Sequence, residues 1–439
     1  MLMEHKLKKL VTDYKHETVG IYSCCSANEF VIEAALERAK ETNTPLLIEA
    51  TANQVDQYGG YTGMTPQDFM AFVKRKAMET GVDMQNVYLG GDHLGPLTFT
   101  EYDEDKAMSE ASELIRQYVL AGFTKIHVDT SMKVNSDDKD IRLSDEIIAQ
   151  RAAKLVSVAT EAYNERLKEV PDAIAPVYVI GSEVPIPGGS QAAVDNGVEV
   201  TKVADLDHTV KAFREAFEDN GLMEVYDNVI AIVVQPGVEE KDSGCTEYDR
   251  QKAKELMAAI DNYPNLVYEG HSTDYQTKIK LKEMVEDGVK ILKVGPALTF
   301  AMREGLFALY NIEKELYKNT DVKTSHLLEV LDEKMIEEPK YWSKHYHGSS
   351  NEIALKRKYS FSDRCRYYMP LKEVEDAINV MFDNLKDGCP LNLLSQFMPL
   401  QYTKVREGYL NNDPRSLVKD RIKNCIDEYL FATNQNKLL

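Results

Sequence analysis

Short apolar runs alternate with longer amphipathic stretches along most of the chain. The apolar runs are too short for helices and lack the polar alternation of half-exposed strands, which is typical of parallel strands covered on both faces. The longer stretches, such as 29–42, 65–80, 105–120 and 274–286, have apolar side chains at helical spacing. Strands that alternate with helices predict a parallel sheet. The predicted strands begin at Val19, Pro45, Val87, Lys125, Val177, Val229, Asn265 and Val289.

Eight such units before residue 310 match the usual size of a closed (β/α)8 TIM barrel. The alternative is an open doubly wound sheet, which usually has about five or six strands. We therefore expect an α/β protein with a barrel over residues 1–320. A mainly helical C-terminal extension should follow over 321–439 and pack on the barrel, with helices over 324–339, 371–385 and 413–431.

Charge and composition exclude several classes of partner. The formal net charge of −20 argues against binding to nucleic acid or to an anionic membrane surface, since both require clustered positive charge. No apolar run approaches the roughly 18 residues needed to span a bilayer, and residues 1–10 are basic without an apolar segment. The six cysteines form no CxxC pair, so reduced thiols are expected. These features predict a cytoplasmic protein, and a homo-oligomer is the expected assembly.

The third predicted strand ends in Gly90, Gly91, Asp92 and His93, and other strands end in similar chemistry. Because the carboxyl ends of barrel strands face one mouth, these side chains should converge there. Histidines and carboxylates together predict a divalent metal site, with zinc or manganese favoured, or an acid/base pair. His127 and Asp129 point to one strand face, so either can instead be a partner inside the barrel. The strand-end candidates are His93, His127, Asp129, Glu183, Gln235, Glu269 and His271.

Two further segments have compositions suited to binding a ligand, one to the hydroxyl groups of a sugar and the other to a phosphate. The loop 49–64 contains Asn53 and Gln54, whose amides can pair with sugar hydroxyl groups. The alternative, a capped connection into the next helix, explains the glycines of this loop but not its three amides. The segment 356–368 contains five cations and three tyrosines, which suit phosphate oxygens. The alternative for that segment is a solvated helix start. The C-terminal extension is therefore expected to contribute to a phosphate site.

Several motifs resemble the family of the tagatose-bisphosphate aldolase Z-type subunit across nearly the whole chain. The resemblance implies a barrel of the zinc-dependent aldolase kind that acts in tagatose or galactitol catabolism. Some members are regarded as subunits that stabilise a separate catalytic aldolase subunit, and similar proteins are 4-epimerases of tagatose 6-phosphate and fructose 6-phosphate. The motifs are EATANQVDQYGGYTGMTP (49–66), GGDHLGP (90–96), HVDTSM (127–132), GSEVPIPGG (181–189) and YSFSDRCRYY (359–368).

The aldolase pattern implies roles for individual residues. Asp92 matches the catalytic acid/base, and His93, Glu183 and His271 match metal ligands. The pattern has a histidine after the sixth strand where this chain has Gln235, so an amide oxygen would replace an imidazole as the fourth ligand. This departure argues against ordinary bisphosphate aldolase activity.

The expected reaction is C4 epimerisation of tagatose 6-phosphate and fructose 6-phosphate by a retro-aldol and aldol sequence. The expected cofactor is a divalent metal, Zn²⁺ first, with Mn²⁺, Co²⁺ or Ni²⁺ as alternatives. Two alternatives remain, a non-catalytic partner of an aldolase catalytic subunit and a 4-epimerase of an unphosphorylated ketose or uronate. The expected catalytic residues are Asp92, Glu183 and Asp129, and the expected substrate-binding residues are Asn53, Gln54, Lys293, Arg364 and Arg366.

Overall fold

Eight parallel strands close into a barrel in a computed structural model that describes residues 5–182 and 198–439. Each strand pairs with its sequence neighbour, and the first pairs with the last, so the order around the barrel is sequential. The predicted (β/α)8 barrel is confirmed, and the open sheet is wrong. The strands are β1 (Ile21–Cys24), β2 (Leu46–Thr51), β3 (Val87–Leu94), β4 (Lys125–Val128), β5 (Val177–Ile180), β6 (Val229–Val234), β7 (Val267–Gly270) and β8 (Val289–Val294).

Helices surround the barrel and make up the C-terminal extension. Those around the barrel are α1 (Glu29–Thr42), α2 (Pro66–Thr80), α3 (Glu104–Ala121), α4 (Asp145–Glu169), α5 (Val203–Asp219), α6 (Arg250–Ala259), α7 (Lys278–Glu286) and α8 (Pro296–Tyr317). The extension contains α9 (Leu327–Glu337), α10 (Ser350–Tyr359), α11 (Lys372–Asn384), α12 (Leu391–Phe397), α13 (Pro399–Arg406) and α14 (Pro414–Thr433). None of the described helices is long and apolar enough to cross a membrane.

Capping residues fix where several of these helices begin. Thr65 and Asp68 form a reciprocal capping box at the start of α2, which follows the amide-rich loop. The periodicity predicts a helix from residue 274, but α7 begins at Lys278 because the Thr277 hydroxyl caps it by accepting from the Lys280 N–H. Residue 274 therefore belongs to the loop after β7, where its side chain can face the barrel mouth.

The barrel interior has an apolar lower part and a charged upper part. Leu47, Val267 and Ile291 belong to one buried apolar cluster with Leu7 and Leu10, which come from the N-terminal segment. Two residues further along the same three strands, charged side chains follow and are almost fully buried. Because side chains two apart lie on one strand face, the charged set lies above the apolar set. The charged residues are Glu49, Glu269 and Lys293.

The last helix, α14, docks the C-terminal extension onto the barrel through α1. Its cations pair with acids on α1 at helical spacing. Arg415 lies 2.8 Å from Glu33, Lys423 lies 2.6 Å from Glu41, and Lys419 pairs with Glu37 between them. All six cysteines are free thiols, so ion pairs and apolar packing hold this helix without disulfides.

Candidate metal centre

An irregularity near the end of β3 turns two adjacent side chains toward one site. In a regular strand, Asp92 and His93 would point to opposite faces. Here the register with β4 shifts between Gly91 and Leu94, and His93 has φ of +51°. Gly95 makes the approach of the two strands possible, since a Cβ there would lie 1.7 Å from the Asp129 carbonyl oxygen. The glycine-rich sequence of this segment therefore positions both Asp92 and His93.

Three buried histidines at this mouth each pair with a carboxylate. His93 Nδ1 lies 2.8 Å from Asp129 Oδ2, His127 Nδ1 lies 2.8 Å from Asp92 Oδ1, and His271 Nε2 lies 2.9 Å from Glu269 Oε1. A carboxylate that accepts the proton of one imidazole nitrogen leaves the second nitrogen available and orients the ring, as in carboxylate–histidine–metal triads. The second nitrogen of His127 is buried without a hydrogen-bond partner among the described residues.

The spacing of the three rings fits coordination of a single ion. Their centroids are 5.2 Å (His93 to His127), 5.1 Å (His93 to His271) and 5.0 Å (His127 to His271) apart. Three imidazoles arranged tetrahedrally about one zinc, with Zn–N of about 2.0–2.1 Å, would place their centroids about 5 Å apart. Asp92, His127, Glu269 and His271 also offer ligand atoms that all lie within 4.8 Å of one another. These four residues can therefore hold a metal ion, and His93 joins them only through the spacing of its ring.

Two buried lysines balance the carboxylates around the histidines. Lys125 Nζ lies 2.8 Å and 2.9 Å from the two Glu49 oxygens and 2.6 Å from Glu269 Oε2. Lys293 Nζ lies 2.7 Å from Asp92 Oδ1 and 3.1 Å from Glu49 Oε2. The sequence suggested Lys293 as a phosphate ligand, but its ammonium group is already paired with carboxylates inside the barrel.

This network sets the protonation of the histidines and acids. Burial lowers the pKa of His271 to about 4 against the opposing effects of Glu269 and Asp92, so this ring is neutral at pH 7, as a metal ligand must be. Burial acts to lower the pKa of His93, but the charge of Asp92 and the hydrogen bond with Asp129 raise it. Burial also acts to raise the pKa of Asp92, but His93, Lys293 and His127 hold it well below its usual range. Asp92 is therefore an ionised carboxylate that can accept a proton.

A central cavity of about 90 Å³ opens beside the histidines. Its walls bring together residues that are far apart in the sequence. Asn53 and Gln54 come from the loop after β2, and Arg366 comes from the C-terminal extension. The Arg366 guanidinium donates to the carbonyl oxygens of Ser362 and Asp363. The walls also include Asp92, His93, His271, Lys293, Glu240 and Asp274.

Arg364 lies in a second, outer cavity of about 510 Å³. Its Nη2 lies 3.1 Å from His345 Nδ1, and Lys340 lines the same cavity. The two cavities share the side chains of Asn53, Tyr61 and Tyr367 in their walls. The two arginines of the tail motif therefore serve different cavities.

The remaining sequence candidates are placed differently. Gln235 uses its amide oxygen to accept the backbone N–H groups of Gly237 at 2.8 Å and Val238 at 2.9 Å, so coordination would require it to leave both donors. Glu183, predicted as a metal ligand and catalytic carboxylate, lies outside the described residues. Sequence reasoning missed Lys125, Glu240 and Asp274. A signal existed only for Lys125, a charged residue at the start of an otherwise apolar strand.

The fold and the site define a class of molecule: a TIM barrel with a candidate metal centre and a polar cavity at its mouth. Residues 7–434 match the family described as D-tagatose-1,6-bisphosphate aldolase subunit GatZ/KbaZ-like. The chain belongs to this family, as its sequence motifs indicated.

Solved structures provide further comparisons. A probable tagatose 6-phosphate kinase from Sinorhizobium meliloti 1021 is 41% identical, with a TM-score of 0.85 over 94% of this chain and 100% of that one. Fructose-bisphosphate aldolase from Campylobacter jejuni is 16% identical, with a TM-score of 0.43 over 88% of this chain and 95% of that one. The YdjI aldolase from Escherichia coli K12 is 10% identical, with a TM-score of 0.40 over 84% and 96%.

Proposed function

We propose that the protein interconverts tagatose 6-phosphate and fructose 6-phosphate by inverting C4. The observation that carries this proposal is the set of three carboxylate-backed histidines beside Asp92, at a cavity walled by amides and an arginine. This arrangement combines a candidate metal centre, a proton acceptor and groups that bind hydroxyls and phosphate. Membership of a family of tagatose-bisphosphate aldolase subunits supports a ketohexose phosphate as the ligand.

We assign His93, His127 and His271 as the residues that hold a divalent metal. Zinc is the first candidate, with manganese, cobalt and nickel as alternatives, because imidazole donors suit these ions. A bound metal would act as a Lewis acid that polarises the ketone of the substrate. Coordination by Glu183 and Gln235 remains a prediction.

The protein side chains supply the proton transfers. Asp92 accepts the proton of the C4 hydroxyl, and Lys293, 2.7 Å away, keeps this carboxylate ionised before the transfer. Asp129 holds the His93 ring through Nδ1 and so positions it without itself contacting the reacting atoms. We assign Asn53 and Gln54, which line the central cavity, to the sugar hydroxyls, and Arg364, which lines the outer cavity, to the phosphate. Phosphate binding by Arg366, which lines the central cavity, remains a prediction.

Inversion follows if both fragments stay in the cavity. When the C4 hydroxyl loses its proton to Asp92, the C3–C4 bond breaks and its electron pair forms the enediolate of the three-carbon ketone fragment. The aldehyde fragment then rotates and presents its opposite face to C3. The C3–C4 bond re-forms, and the C4 oxygen recovers a proton. No atom is gained or lost, so the net change is epimerisation.

A second candidate function is stabilisation of a separate aldolase catalytic subunit, which the description of the family favours. The two candidates differ in what the chain does alone. Purified protein, supplied in turn with Zn²⁺, Mn²⁺, Co²⁺ and Ni²⁺, should convert fructose 6-phosphate to tagatose 6-phosphate, as followed by ¹³C NMR of a labelled substrate. Absence of product with every metal would refute the epimerase and leave the subunit role.

An arginine variant tests the third alternative, an unphosphorylated substrate. If the phosphate lies against the tail, R364A should lose most of its turnover of fructose 6-phosphate but not of fructose. Equal effects on both sugars would refute the phosphate assignment. Association with an aldolase subunit, self-association and a cytoplasmic location remain predictions for the native protein.

A further inference from the structure

The N-terminus of α8 in this barrel is capped by an acid. In many TIM barrels the loops after the seventh and eighth strands, together with a helix N-terminus, bind a phosphate through backbone N–H groups. Here Asp274 Oδ1 accepts the N–H of Gly295 at 3.0 Å and the N–H of Ala297 at 2.8 Å. The donors that a phosphate would use are therefore already engaged by a side chain of the protein.

A second buried carboxylate lies beside Asp274 in the central cavity. Glu240 follows β6, is 6% exposed, and has an Oε2 without a hydrogen-bond partner among the described residues. Burial and the charge of Glu240 raise the pKa of Asp274 to about 7, and burial raises the pKa of Glu240 as well. Arg366 is a cation that faces both acids. Glu240 Oε2 can accept from a hydroxyl group, whereas the N–H groups of Gly295 and Ala297 are engaged by Asp274 and are not available to an anion. The geometry of this end of the cavity therefore favours a hydroxyl donor over an anion.

The outer cavity has the opposite character. Lys340, His345 and Arg364 line it. Its acid, Asp56, is engaged by its own loop, since Oδ1 accepts the N–H of Tyr58 at 2.7 Å and of Gly60 at 2.9 Å. A ligand that extends through both cavities would therefore meet carboxylates at one end and cations at the other.

We propose that Glu240 and Asp274 restrict this site to ketoses that carry phosphate at one end only. The inference rests on the proposed function for the class of ligand and adds the residues that select within it. The unphosphorylated C1 hydroxyl donates to Glu240 Oε2, while the phosphate at C6 lies in the outer cavity. A phosphate at C1 would meet two carboxylates and backbone donors that Asp274 already engages, so a ketose 1,6-bisphosphate is rejected.

The test compares the binding of fructose 6-phosphate and fructose 1,6-bisphosphate by isothermal titration calorimetry. The proteins are the wild type, the isosteric double variant E240Q/D274N and the control E239Q, which removes one negative charge next to Glu240. The amide introduced by D274N retains an oxygen that can accept from Gly295 and Ala297, so the helix cap survives. Circular dichroism verifies that each variant is folded.

Wild-type protein and E239Q should bind the bisphosphate at least tenfold more weakly than the monophosphate, and the double variant should reduce that ratio at least tenfold. Equal or tighter binding of the bisphosphate by wild type overturns the inference, as does an unchanged ratio in a folded double variant. The ratio is measured without turnover. A protein that shows the ratio but forms no tagatose 6-phosphate therefore refutes the proposed reaction and supports the selectivity.

Discussion

Replacement of Lys125 by methionine tests whether the charged interior of the barrel is a coupled network. Lys125 is fully buried and makes three contacts of 2.6–2.9 Å with Glu49 and Glu269, both of which are also fully buried. Methionine keeps most of the apolar stem, so the change mainly removes a charge. Removing one partner of a buried pair costs about 3–5 kcal/mol, since it leaves an uncompensated buried charge. We expect K125M to lower the free energy of unfolding by about that amount.

The pH dependence of this loss has a definite sign. Burial acts to raise the pKa of Glu269, but Lys125, Lys293 and His271 hold it well below its usual range. A carboxyl group with a depressed folded-state pKa stabilises the fold above its unfolded pKa of about 4.3 and loses that contribution as the pH falls further. The difference in the free energy of unfolding between K125M and wild type should therefore be largest near pH 7 and should decrease below about pH 4.

Urea unfolding followed by circular dichroism measures the effect, and two variants serve as controls. K372M removes a lysine whose pairing with Asp376 is on the surface, and it should leave the unfolding midpoint unchanged. K125M/E49Q removes a charge of each sign and should be less destabilised than K125M. A loss below about 1 kcal/mol for K125M at pH 7, or a double variant less stable than K125M, would refute the coupled network.

Three further predictions concern the site and the C-terminal helix. D92N should lower turnover at least about a hundredfold, because it removes the proton acceptor; turnover close to wild type would remove Asp92 from the mechanism. H127N should lower the amount of bound metal, measured by mass spectrometry, at least about tenfold, and Q235A should retain the metal. The reverse result would show that Gln235, and not His127, is a metal ligand. Burial acts to raise the pKa of Glu33, but Arg415 and Lys76 lower it to about 2. The pairing of Glu33 with Arg415 therefore stabilises the docked α14 above about pH 4.5, and this stabilisation is lost as the pH falls toward 2. In the wild type, the rate of proteolysis of the C-terminal region should rise as the pH falls from about 5 to about 3, and E33Q should reduce this rise. An equal rise in E33Q and wild type would contradict the prediction.

The sequence predicts the barrel well because parallel strands buried on both faces leave a strong periodic signal. Its error at residue 274 has a local cause. The apolar spacing of α7 extends upstream, but the Thr277 hydroxyl caps the helix and leaves Asp274 to cap α8 instead. Periodicity detects apolar faces, whereas a helix start depends on which side chain satisfies the free N–H groups. Asp274 therefore could not be assigned to the cavity from the sequence.

Residue types at strand ends predict the site only in part. They identify Asp92, His93 and His271 at one mouth, but strand alternation alone would separate Asp92 from His93. The irregularity of β3 brings them together, and it depends on a close approach at Gly95 that no local pattern reveals. Glu240 reaches the cavity from a loop, where no periodicity restricts the direction of a side chain.

The charges inside the barrel explain why a divalent cation suits this site. Glu49, Asp92, Asp129 and Glu269 are four buried carboxylates, and Lys125 and Lys293 are two buried ammonium groups. With neutral imidazoles the interior is short of two positive charges, a deficit that is costly away from water. Protonation of two histidines would also correct it: the pKa of His93 is raised, whereas burial lowers that of His271 to about 4. Three neutral imidazoles that bind one dication correct the whole deficit and leave each carboxylate with a partner, so the same network that stabilises the barrel favours a metal at its mouth.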